Sequence, residues 1–156
     1  MIGLSNKNQK NNMDYRRILI AVDNGPTSEK VASSGYDLGR QLNAEIAVIS
    51  VVETTLLIAD GGVTFNDMAE MVKGDVVKHQ QLLIDRIFNG YKVQTFIEEG
   101  VTHEMILKAA GDWNADLIVL ATHGRTGLSH LLMGSVAEML VKQSVKPLLI
   151  IPARTS

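Results

Sequence analysis

Residues 117–135 read LIVLATHGRTGLSHLLMGS. The first four are apolar without a break. The remaining residues include three glycines (Gly124, Gly127, Gly134), an arginine, and hydroxyls at Thr122, Thr126, Ser129 and Ser135. A continuous aliphatic run of this length is what a strand covered on both faces looks like. A glycine-rich exit from such a strand, leading to a helix, is either a plain connector or a place shaped to hold an anion.

Four more runs of similar length flank it: Ile18–Val22, Ile46–Val52, Val93–Ile97 and Leu148–Ile151. The first two are nearly continuous Ile, Val, Leu and Ala, as in a buried parallel strand. Val93–Ile97 partly alternates, which places it nearer an edge. Helix-length segments separate them. In 27–42, Val31, Leu38 and Leu42 fall near one face, and small Ala32, Gly35 and Gly39 permit close approach. In 67–88, Met68, Val72, Val76, Leu83 and Ile87 recur at spacings of four or seven, with His79 packed beside them. Segment 102–113 begins with Thr102 as an expected N-cap and Glu104 in the first turn, and Trp113 reads as a packing residue. Segment 134–144 ends before Pro147. The order β-α-β-α-β-α-β-α-β predicts an α/β fold: an open, doubly wound, five-stranded parallel sheet with helices on both faces.

The chain has 156 residues, enough for one substantial core, and 46% are apolar against 21% charged. We expect a loose leader at 1–13 and a single domain over 14–154. Fifteen basic and seventeen acidic side chains give a formal charge of −2. That balance offers no bulk attraction for nucleic acid or an anionic membrane, so any anion site is local. There is no cysteine, which excludes disulfides, thiolate metal sites and cysteine nucleophiles. The start lacks the apolar core of a signal peptide, and no run approaches the roughly 18 apolar residues of a membrane span. A cytoplasmic protein is the expectation. Gly61-Gly62 predicts a loop near the strand ends. The four histidines, His79, His103, His123 and His130, show no metal-ligand spacing.

In an open α/β sheet, ligands bind beyond the carboxyl ends of the strands, where strand order reverses. Residues 121–135 leave such an end. The helix starting at Gly134-Ser135 would offer unpaired N–H groups and a positive dipole end; Ser135 would add a donor or serve only as N-cap. Gly124 suits a turn that aims N–H groups inward. Neither Walker A nor G-x-G-x-x-G is present.

The segment resembles the signature of the universal stress protein family, whose nucleotide-binding members carry G-x2-G-x9-G-[S/T]. Here it falls on Ala121, Gly124, Gly134 and Ser135. RRILIAVD at 16–23, GSVAE at 134–138 and KPLLII at 146–151 are similar to the family as well, so the resemblance spans about residues 15 to 152. Three departures stand out. The first motif glycine is Ala121, Asn24-Gly25-Pro26 replaces the common Gly-Ser after Asp23, and Thr102 stands where a proline is common. The resemblance implies the fold of adenine-nucleotide alpha-hydrolases and ATP as ligand, with Mg2+ carried by the phosphates.

It also implies roles. Asp23 would accept from the ribose hydroxyls, or cap its own turn. Ala21 would lie along the nucleotide. Val51 would meet the adenine through its backbone, or be a core valine. Ala121 and Gly124 would line the phosphate path, Gly134, Ser135 and Val136 would donate to the phosphates, and Arg125 would offset their charge or stand solvated. A homodimer through the final strand, 148–151, is implied too, and an apolar marginal strand invites it. The expected function is that of an ATP-binding stress-response regulator acting through its nucleotide state and dimerisation. The alternatives are a nucleotide-free dimeric scaffold and a weak ATPase or phosphotransferase. A flavin carrier would share the fold class, but residues 121–135 do not favour it.

Overall fold

The computed structural model describes residues 14–53, 64–123 and 133–153. The expected leader, the Gly61-Gly62 loop, Gly124 and Arg125 lie outside them. Nine elements alternate: β1 Arg17–Ala21, α1 Ser28–Leu42, β2 Glu45–Val52, α2 Phe65–Ile87, β3 Val93–Glu99, α3 Thr102–Asp112, β4 Leu117–Ala121, α4 Ser135–Gln143 and β5 Leu148–Ile151. The strands form one parallel sheet in the order β3-β2-β1-β4-β5. β1, β2 and β4 are interior, in keeping with their nearly continuous apolar runs. β3, the one that alternates, is marginal.

Alternate side chains of each interior strand feed two cores. Ile18, Ile20, Ile46, Val48 and Val119 pack with Val31 and Ala32 of α1 and Leu83 of α2. Leu19, Ala47, Ile49, Ile118 and Leu120 pack with Ile106 and Ala109 of α3 and Ala137 and Leu140 of α4. The period-two pleat therefore sends α1 and α2 to one face and α3 and α4 to the other. Gly35 and Gly39 are buried where α1 crosses the sheet. A Cβ at Gly35 would stand 2.7 Å from Ile20 Cγ1, and one at Gly39 would stand 2.5 Å from Ile46 Cδ1. Leu42, expected on the apolar face of α1, is exposed instead, at the last residue of the helix.

Three helices end alike. Asn43, Asn89 and Asn114, at or just beyond the ends of α1, α2 and α3, take positive φ. Asparagine tolerates this left-handed region better than most residues, and the turn stops the helix. Thr102 is not the N-cap of α3. Val101 occupies that position, and the Thr102 hydroxyl, one residue inside the helix, donates to Glu53 Oε2 at 2.9 Å.

One buried amide ties α2 to the sheet. Gln80 Nε2 donates to Ser50 Oγ at 3.1 Å and to the Phe96 carbonyl at 3.1 Å. Gln80→Leu would keep the volume but leave the buried Ser50 hydroxyl without this donor and remove the second bond to the Phe96 carbonyl, which keeps its ladder bond to β2. We expect a loss of about 1–3 kcal/mol, read as a lower urea midpoint at unchanged m-value.

Candidate functional site

The chain runs outward from β1 to β2 to β3, then returns past β1 to β4. Strand order therefore reverses between β1 and β4. Their ladder stops at Ile20↔Val119. On the outer sides pairing continues further, to Ala21↔Ile49 between β1 and β2 and to Ala121↔Ile151 between β4 and β5. Ala21 and Ala121 thus flank a crevice that opens at the carboxyl end of the sheet, the position at which such folds bind ligands. Both are half-buried. The Ala121 methyl packs into the α1–α2 core. It points away from the face that carries α4, so alanine in place of the first motif glycine does not fill the approach to that helix.

α4 begins at this crevice. The Gly134 N–H donates to the Thr122 carbonyl at 2.6 Å, which pins the helix start to the end of β4. Thr122 is the hub of the arrangement. Its N–H donates to the Ile151 carbonyl at 3.0 Å, and its hydroxyl accepts from the Ala153 N–H at 3.1 Å. The next carbonyl, of His123, accepts from the Thr27 hydroxyl at 3.4 Å, so the start of α1 is held there as well. In the sequence Thr122 was only one of four hydroxyls in the segment. Its importance lies in contacts to residues some thirty positions distant, which no local pattern carries.

Gly134, not Ser135, is the N-cap of α4, and it supplies no capping side chain. The first-turn amides of Ser135, Val136 and Ala137 have no acceptor within the helix. Ser135 is exposed and its hydroxyl is not spent on a cap. Glu138 in the same turn is engaged by Lys142 at 2.9 Å. The hydrogen bond from Lys142, then its charge, holds the Glu138 carboxyl below the ordinary glutamate value. That pairing offsets the one carboxylate placed to repel an anion in the first turn.

Asp23, two residues past β1, accepts the Gly25 N–H on Oδ1 at 2.7 Å. The turn-capping role is therefore real. Oδ2 has no partner among the described residues. Val51 is half-buried, with its side chain against the α3–α4 core. Its backbone is placed otherwise. The Val22 N–H donates to the Ile49 carbonyl, and the Gly100 N–H to the Val52 carbonyl. Odd-numbered residues of β2 therefore direct their polar groups toward β1 and even-numbered ones toward β3. Past Val22, β1 has ended, and the Val51 N–H and carbonyl face the space it vacates. The core valine and the open backbone are both present in one residue.

Glu53 was not singled out in the sequence. It follows β2 directly, is half-buried, and is held by Thr102. A proline at position 102 would have no hydroxyl to hold it. Gly124 and Arg125 lie outside the described residues, as does His130. His123 stands at the end of β4 with Nδ1 3.2 Å from Thr122 Oγ1. Among the described residues there is no cluster of metal-ligating side chains. No helix there is long and apolar enough to cross a membrane.

Residues 14–152 match the profile described as the Universal stress protein family. Universal stress protein MJ0577 of Methanocaldococcus jannaschii is 42% identical, over 91% of this chain and 98% of that protein. The solved structure of MJ0577 superposes with a TM-score of 0.80 at 25% identity, covering 92% of this chain and 99% of the other. UspA of Lactobacillus plantarum superposes at 0.78 with 16% identity, over 88% and 97% of the two chains. A universal stress protein solved in complex with cAMP superposes at 0.68 with 17% identity, over 92% and 99%.

Proposed function

The chain belongs to the universal stress protein family, and from that premise we propose that it is a regulator that binds ATP in the crevice between β1 and β4. The observation that carries this reading is the start of α4. Its bare glycine cap is pinned by Thr122 where β1 and β4 part, leaving first-turn amides without an acceptor in the helix and a positive dipole end at the crevice. Gly134, Ser135 and Val136 donate to the phosphates, and Gly124 and Arg125 complete that end. Mg2+ arrives on the phosphate oxygens. Ala21 and Ala121 line the path. The adenine edge pairs with the Val51 backbone, and Asp23 Oδ2 accepts from the ribose. β5, marginal in the sheet, joins two copies into a dimer, and nucleotide occupancy sets the state that a partner reads.

The test is direct. Protein purified from cells is denatured, its supernatant is chromatographed for nucleotide, and the refolded or stripped chain is titrated calorimetrically with Mg-ATP, with cAMP as competitor. ATP in the supernatant or saturable heat supports the reading. Neither would leave the nucleotide-free scaffold. Asp23→Ala is expected to weaken ATP about tenfold, one charge-assisted bond being worth roughly 1.5 kcal/mol, and to leave 2′,3′-dideoxy-ATP unaffected. Equal losses for both ligands would remove Asp23 from the ribose.

A further inference from the structure

β3 is marginal among the described residues, and it is well formed for pairing on its free side. All seven of its residues pair with β2, from Ile46↔Val93 to Val52↔Glu99, with no proline. The Gly100 N–H reaching the Val52 carbonyl sets the phase of the backbone. Even-numbered residues of β3 turn their polar groups to β2, so the amides and carbonyls of Val93, Thr95, Ile97 and Glu99 face outward. Gln94 and Thr95 are exposed, while Phe96 and Glu98 are half-buried. On the α3 side the strand borders a cleft of about 200 Å3 whose apolar lining includes Phe96, Met105, Ala109 and Trp113. The Phe96 and Trp113 rings meet edge-on there, 6.3 Å apart. An edge of this kind is a template for another strand.

We infer that β3 pairs antiparallel with β3 of a second copy, about a two-fold axis through Phe96. The ground is self-complementarity. Turned about Phe96, the strand sets Val93 opposite Glu99, Gln94 opposite Glu98, and Thr95 opposite Ile97. The odd-numbered pairs bring outward groups together and become the hydrogen-bonded pairs. The even-numbered ones become the non-hydrogen-bonded pairs, in which side chains approach most closely. In those, the Gln94 amide meets the Glu98 carboxylate of the other copy, and the two Phe96 rings meet beside the cleft. Lys92 lies diagonal to that same Glu98. No like charges stand opposite one another. An axis between two residues would match outward groups with inward ones, and an axis at Glu98 would oppose two carboxylates. The axis at Phe96 alone engages the whole strand. Pairing at β3 is separate from the edge at β5, so the two together extend the sheet through successive copies, and β3 alone yields a dimer.

Sedimentation velocity of the full chain over a wide concentration range tests this, with Gln94→Glu and Gln94→Lys beside the wild type. Gln94 is exposed, so both variants keep the thermal midpoint. Gln94→Glu sets two carboxylates opposite at each of the two symmetric pairs and is expected to raise the dissociation constant of this interface about tenfold. Gln94→Lys lowers it. Amide exchange at Thr95 and Ile97 slows as concentration rises. Equal association of the three proteins, or exchange at Thr95 and Ile97 that does not change with concentration, overturns the inference.

Discussion

Gly134→Val is expected to weaken ATP binding about a hundredfold or more while the protein stays folded. Gly134 sits at φ −72° and ψ 165°, extended backbone that any residue adopts, so valine brings no backbone strain. Its N–H remains free to donate to Thr122, and α4 keeps its anchor. The new side chain, however, stands in front of the first-turn amides, where the phosphates are held in the proposed mode. Displacing phosphate from two such donors forfeits about 3–5 kcal/mol, a loss of roughly a hundredfold or more in affinity. Calorimetric titration with Mg-ATP measures it, and a urea unfolding curve checks the fold. Full affinity in the variant would place the nucleotide elsewhere, and with it the roles given to Ser135 and Val136.

The second large effect is on stability. Gly35→Val is expected to cost about 2–4 kcal/mol, because overpacking a fixed helix–sheet contact forces neighbours off their rotamers. A Cβ there would come within 2.7 Å of Ile20 Cγ1, and Ile20 is fully buried in an interior strand. Valine carries two further methyls into the same space. The gain in helix propensity over glycine is under about 1 kcal/mol and does not compensate. Urea unfolding reads the loss as a lower midpoint. Pairing the change with Ile20→Ala opens room at the clash, and the double variant should lose less than the sum of the single ones. Strict additivity would show that the contact at Gly35 is looser than its geometry.

Much of this molecule is legible without coordinates, for a simple reason. A parallel strand covered on both faces has no polar side to show, so β1, β2 and β4 announce themselves as nearly continuous aliphatic runs, with Ser50 the one interruption in β2. β3 alternates in part because it stands at the margin, and the sequence says so. Gly35 and Gly39 were readable as a close approach because only a missing side chain allows a helix so near a sheet. Other features escape the sequence where a local preference meets a longer-range one. Threonine is a good N-cap, yet at 102 its hydroxyl is taken by Glu53, forty-nine residues away. Leu42 keeps helical period but stands exposed at the last residue of α1.

The sequence by itself determined the alternation of elements, the fold class, the family and the segment from which an anion site would be built, because hydrophobic period and turn chemistry are written within a few residues. Only the tertiary structure decided that β1 and β4 part at Ala21 and Ala121, that Thr122 binds α4 to that opening, and that the Val51 backbone is left facing a vacated strand position. Those facts depend on which strands lie side by side and where each ladder stops. Register and strand order are set by packing between segments distant in the chain, and no window along the sequence contains them.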